Sequence, residues 1–82
     1  MTWEIGLTDR AKKDVRALPA DLRSRIGRAI NGLPAGDTRP LKGRHGEWRL
    51  RVGEWRVIYE VDNAGRKITV KTVRPRGGAY QD

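Results

Sequence analysis

Arg49, Arg51 and Arg56 are the residues whose types and spacing most clearly invite chemistry. Arg49 and Arg51 alternate within Glu47 to Val52 (EWRLRV), and Arg56 opens the run Trp55 to Val61 (WRVIYEV) after Gly53-Glu54. Both runs alternate apolar and polar residues as half-buried strands do, and Gly-Glu suits a two-residue turn between them. That turn pairs Val52 with Trp55, so Leu50 faces Val57, Trp48 faces Tyr59, and Arg51 lies directly opposite Arg56. Like charges directly opposite on neighbouring strands destabilise a sheet by up to roughly 1 kcal/mol. A sheet selected for stability alone would alternate the signs. The cost is explained if an anion such as a phosphate sits between them, because the planar guanidinium fork suits bidentate contact with phosphate. In the plainer alternative the face is merely solvated and the arginines splay apart under salt screening. The matched apolar pairs on the opposite face support the register and, with it, the anion site.

Two other clusters carry reactive groups. The C-terminal run Arg74-Pro75-Arg76-Gly77-Gly78-Ala79-Tyr80 adds two guanidiniums and a phenol just after the last strand-like segment. The loop Lys42-Gly43-Arg44-His45-Gly46 holds the sole histidine. A lone loop histidine is more often a solvated residue than a general base. Glu60 and Asp62 lie next to a turn without convergent ligands, so neither a metal nor a cofactor is expected. RNA cleavage without a metal needs the ribose 2′-hydroxyl deprotonated, positive charge on the phosphorane-like transition state, and a proton for the leaving 5′-oxygen. Arginine and tyrosine ordinarily titrate far above neutrality, so acid–base chemistry from these types alone is slow. A partner that orients the RNA is therefore required.

The elements that must position these groups follow from the patterning. Trp3, Ile5 and Leu7 alternate over residues 2–7, as in a half-buried strand. Thr8 is a suitable N-cap, and Ala11, Val15 and Leu18 form a helical stripe that Pro19 stops. Asp21 is placed to cap a second helix carrying Leu22, Ile26, Ile30 and Leu33, ended by the loop containing Pro34, Gly36 and Pro40. After the two strands above, 62–65 is a turn cluster and Lys67 to Val73 (KITVKTV) a third β-rich run. The expectation is an α+β fold of order β-α-α-β-β-β, a small antiparallel sheet with an α-hairpin on one face.

Eighty-two residues fit one domain spanning 1–82. No cysteine is present, so disulfides and thiolate metal sites are excluded. No run approaches the ~20 apolar residues that cross a bilayer, and the N-terminus lacks an apolar signal core. A soluble, cytoplasmic protein without membrane partners is expected. Eighteen Lys and Arg against ten Asp and Glu give a net charge of +8. Eleven of those cations lie between Arg39 and Arg76, which points to RNA or another polyanion as the partner.

The stretches Arg39-Pro40-Leu41-Lys42-Gly43, Trp48 to Gly53, Trp55 to Val61 and Arg74-x-Arg76-x-x-x-Tyr80 resemble the RelE/ParE toxins of bacterial type II toxin–antitoxin systems. The opening strand and Ala11-x-x-Asp14-x-x-x-Leu18-Pro19 fit the same family, so the resemblance spans essentially the whole chain. In the RelE branch it implies a ribosome-dependent endoribonuclease that cuts mRNA in the decoding (A) site of the 30S subunit, leaving a 2′,3′-cyclic phosphate. The catalytic residues it implies are Arg49, Arg51, Arg56, Arg74 and Tyr80. Arg56 matches the arginine on the scissile phosphate, and Tyr80 the C-terminal tyrosine. Lys42, Arg44 and Arg76 are the RNA-binding residues, and no metal or cofactor is implied. Arg49 and Arg51 stand where the best-known relatives carry lysine, and arginine holds its proton more tightly, which argues against a general-base role there.

The ParE branch shares the fold but poisons DNA gyrase and lacks the nuclease residues. Arg56, Arg74 and Tyr80 together favour the nuclease branch. The alternatives are a gyrase inhibitor, and a degenerate homologue that only docks an antitoxin. In each, the resemblance implies a cognate acidic antitoxin, with the toxin alone a monomer and the complex oligomeric.

Overall fold

The computed structural model describes residues 3–43 and 46–75. Its elements run β1 (Glu4–Leu7), α1 (Asp9–Arg16), α2 (Ala20–Asn31), β2 (Thr38–Pro40), β3 (Glu47–Val52), β4 (Trp55–Asp62) and β5 (Lys67–Pro75). The five strands form one sheet in the order β1-β5-β4-β3-β2. This is the α+β arrangement expected, with two additions. β1 pairs with β5 in parallel, Ile5 opposite Ile68 and Leu7 opposite Val70, so the sheet is mixed rather than wholly antiparallel. The segment around Pro40, expected as loop, contributes a short edge strand paired with β3. Proline is tolerated there because an outer edge needs no amide donor.

The β3–β4 hairpin has the register deduced above: Trp48 opposite Tyr59, Leu50 opposite Val57, Arg51 opposite Arg56 and Val52 opposite Trp55. Gly53 supplies the turn with φ +60, the conformation that makes glycine the favoured first residue of a two-residue hairpin loop. A Cβ there would also meet the Arg25 guanidinium of α2. Gly53→Ala is therefore expected to destabilise the fold by roughly 1–2 kcal/mol, read as a lower denaturant midpoint at unchanged slope. An unchanged midpoint would contradict the turn geometry.

One sheet face carries the core. Ile26, Ile30 and Leu33 come from α2 and the turn after it, Ala11 and Leu18 from α1 and its end, and they pack on Leu50, Val57, Tyr59, Ile68, Val70 and Val73. Removing that apolar area from water drives the packing. Tyr59 is buried within it. Burial pushes its phenol up, a hydrogen bond with Thr38 of β2 opposes the shift, and the neutral form results.

The helix starts differ in kind. Thr8 caps α1 as expected, its hydroxyl accepting from the Ala11 amide at 3.1 Å. The same hydroxyl donates to the Lys71 carbonyl at 2.9 Å, so the cap also ties α1 to β5. Asp21 does not cap α2. Pro19 holds that position without a side-chain bond, and Asp21 sits in the first turn, where it meets the positive end of the helix dipole. Among the described residues no helix is long and apolar enough to cross a membrane.

Candidate functional site

The sheet face away from the core carries two cross-strand rows of arginine. Arg51 of β3 faces Arg56 of β4, and Arg56 faces Arg74 of β5. One step along the strands, Arg39 of β2 faces Arg49 of β3. Each like-charged pair opposes the sheet on its own, so the rows are not explained by stability.

Arg74 reaches this face through an irregularity. Tyr59 is opposite Val70 while its neighbour Ile58 is opposite Thr72, leaving Lys71 as an extra residue in β5. Such a bulge reverses the in–out alternation beyond it. Without it, Arg74 would share the parity of buried Ile68 and Val70 and point into the core. With it, Val73 turns inward and Arg74 joins Arg56. Arg74 thus lies within β5, not after it.

Asp14 of α1 pins this stretch. Its Oδ2 accepts from the Thr72 hydroxyl at 2.8 Å and from the Val73 amide at 3.0 Å. Its Oδ1 is 3.2 Å from Arg10 Nε. Burial would raise the Asp14 carboxyl, but the Val73, Thr72 and Arg10 hydrogen bonds outweigh it and hold the group below its usual range. The open edge of β5 beyond the end of β1 is closed in this way, and Arg74 follows directly after the bonded pair.

A cleft of about 420 Å³ opens beside the rows, walled by Arg49, Arg51 and Arg56 from the hairpin and by Asp37, Arg39, Pro40 and Lys42 from β2 and its flanks. The cations of the cleft, and Arg74 beside it, differ in setting. Arg49 is buried, with 5% exposure, and its cross-strand neighbour Ile58 is buried at 1%, so the centre of this face is not washed by solvent. Arg51 is half exposed and its Nε lies 3.2 Å from Asp37 Oδ2. The Nε of Arg74 is buried without a hydrogen-bond partner among the described residues. A buried guanidinium sits in a lower dielectric than an exposed one, which strengthens its attraction for an anion. Next along the strands the sign changes: Glu47 faces Glu60, and Lys71 Nζ reaches Glu47 Oε2 at 3.0 Å.

Of the residues selected from the sequence, Lys42, Arg49, Arg51 and Arg56 line one cleft, and Arg74 stands beside Arg56. Arg44, His45, Arg76 and Tyr80 lie outside the described residues. Arg39 and Asp37 belong to the cleft and were not selected. Both lie in or before a three-residue strand, too short to show alternation; only Pro40, compatible with an edge strand, could have signalled it. Among the described residues no group of three or more His, Asp or Glu is placed to hold a metal. What the cleft can do is bind a phosphate chain and offset negative charge as it builds up.

The fold and sequence have clear relatives. The family model described as the ParE toxin of the type II toxin–antitoxin system parDE matches residues 5–80. RelE1 of Methanocaldococcus jannaschii is 28% identical over 89 aligned positions, covering 100% of this chain and 99% of the relative. The archaeal RelE–RelB complex from Pyrococcus horikoshii superposes with a TM-score of 0.77 at 26% identity, covering 96% of this chain and 100% of that one. The isolated Escherichia coli RelE toxin gives a TM-score of 0.77 at 15% identity, over 95% and 88% of the two chains, a likeness of fold. The chain belongs to the ParE toxin family and, with it, to the RelE/ParE superfamily of toxins from type II toxin–antitoxin systems.

Proposed function

We propose that this toxin cuts mRNA on the ribosome, with the arginine face as its catalytic surface. The observation that carries the reading is the row Arg51–Arg56–Arg74, three like charges side by side next to a basic cleft. Like charges set opposite one another repel across the strands, and a phosphate placed over the row turns that repulsion into attraction. In the proposed reaction the ribose 2′-oxygen bonds to phosphorus, the bond from phosphorus to the 5′-oxygen breaks, and the products are a 2′,3′-cyclic phosphate and a 5′-hydroxyl. The proton lost from the 2′-hydroxyl and the one gained by the 5′-oxygen pass through groups assembled around the RNA. Arg56 contacts the scissile phosphate; Arg49, Arg51 and Arg74 stabilise the charge that develops on it. Tyr80 is the proposed partner of the reacting oxygens, and Lys42, Arg44 and Arg76 hold the flanking RNA.

The ribosome supplies what an arginine surface lacks, an mRNA strand fixed with its 2′-oxygen in line, and the cytosol is then the place of action. An antitoxin partner is supported by the RelE–RelB complex of the relative from Pyrococcus horikoshii; for this toxin the antitoxin is proposed to be acidic and to neutralise it by covering its basic surface. Mixing the purified chain with programmed ribosomes tests the proposal. Cuts within the A-site codon, and none in the same mRNA without ribosomes, are expected; equal cutting of naked mRNA, or none in either case, would sink it. The ParE name of the matched family favours a second reading, a gyrase inhibitor. It predicts loss of supercoiling in vitro, indifferent to changes at Tyr80.

A further inference from the structure

Asp37 is the one acidic side chain among the described residues lining the basic cleft, and two bonds tie it to the same arginine. Its Oδ2 lies 3.2 Å from Arg51 Nε. Its backbone carbonyl accepts from the Arg51 amide at 2.9 Å, one step beyond the Thr38–Leu50 pair of the β2–β3 ladder. The backbone bond fixes where the carboxylate can reach, so the ion pair is not a chance meeting of two long side chains. Both side chains are about half exposed, 54% and 49%, and exposed pairs of this kind contribute little to stability. Stability is therefore a poor reason for placing the cleft's one acid here. The arrangement, an anionic oxygen on a guanidinium at the wall of a cationic cleft, is also how a phosphate oxygen would meet Arg51.

We infer that Asp37 is a built-in competitor for the cleft, occupying on Arg51 the place that a phosphate of a bound polyanion takes. The inference rests on the polyanion reading of this cleft and adds a residue that sets its affinity from within. On binding, Arg51 exchanges carboxylate for phosphate, and Asp37 is left beside the chain as a repelling charge. Loose polyanions are held less tightly in consequence, while a strand already fixed in place can still displace the carboxylate.

The test uses the full chain and a short fluorescent single-stranded DNA, which has no 2′-hydroxyl to react. Asp37→Asn should bind it roughly two- to fivefold more tightly at low salt. The slope of log affinity against log salt should steepen by up to about 0.7. In an Arg51→Ala background the same Asn substitution should give a clearly smaller gain, because only the repelling charge is then removed and no ion pair has to be exchanged. Equal affinity of wild type and Asp37→Asn, or a gain undiminished without Arg51, would overturn the exchange while leaving the cleft as a polyanion site. Failure of both folded proteins to bind the DNA would overturn the polyanion reading, and the exchange with it.

Discussion

Expressed without an antitoxin, the Arg56→Ala protein should no longer arrest growth, although it folds as well as the parent. Arg56 is the centre of the row, with Arg51 on one side and Arg74 on the other. Removing it relieves two like-charge juxtapositions, each worth up to roughly 1 kcal/mol, which offsets what its own favourable contacts contribute, so the fold is expected to persist. The proposed reaction, by contrast, loses its phosphate contact, and deleting one donor to a developing oxyanion typically lowers the rate by about 10²–10³. The two readouts thus move apart: growth resumes, while the unfolding free energy stays within about 2 kcal/mol of the parent. Undiminished arrest by a folded Arg56→Ala protein would remove this residue from the chemistry. Tyr80→Phe should likewise relieve arrest, and full arrest by that protein would remove the phenol from the chemistry.

The largest effect on stability is expected at Asp14. Its carboxylate takes hydrogen bonds from Thr72, Val73 and Arg10 and joins α1 to β5. Asp14→Ala leaves the Thr72 hydroxyl and Val73 amide without their acceptor and should destabilise the fold by about 2–3 kcal/mol. For a chain of this size that is a fall in Tm of about 10 °C or more. The effect has a pH signature. Because the folded-state value of Asp14 is depressed, its contribution is fully present above the unfolded carboxylate range, near pH 4. It is lost as pH falls from there through the folded value. The stability gap between wild type and Asp14→Asn should therefore be widest near neutrality and close in acid. A gap that stays constant down to pH 2 would mean that the charge of Asp14 contributes nothing.

The sequence disclosed the hairpin face more fully than its surroundings. A two-residue turn leaves one register, and the Trp48–Tyr59 and Leu50–Val57 pairs agree with it, so the Arg51–Arg56 contact was readable without coordinates. The partner of β1 was not readable, because a parallel neighbour at the other end of the chain leaves no local pattern. Strict alternation from Ile68 and Val70 would have turned Arg74 into the core, and the bulge that reverses it at Lys71 has no signature in KITVKTV. Resemblance to a family placed Arg74 in the site where periodicity would not have. The place of Asp37 and Arg39 in the cleft was not readable, because the strand that holds Arg39 and follows Asp37 is three residues long and ends in proline. The same resemblance included Asp14 without saying why; its bonds to Thr72 and Val73 give a physical reason, the anchoring of the strand that presents Arg74.

Mapping of mRNA 5′ ends in cells expressing the toxin shows whether the arginine face acts on mRNA. Wild-type toxin should produce new ends inside codons of translated messages, and Arg56→Ala should produce none. Intact messages under full growth arrest, accompanied by loss of DNA supercoiling, would contradict mRNA cleavage by this face and move the activity to gyrase.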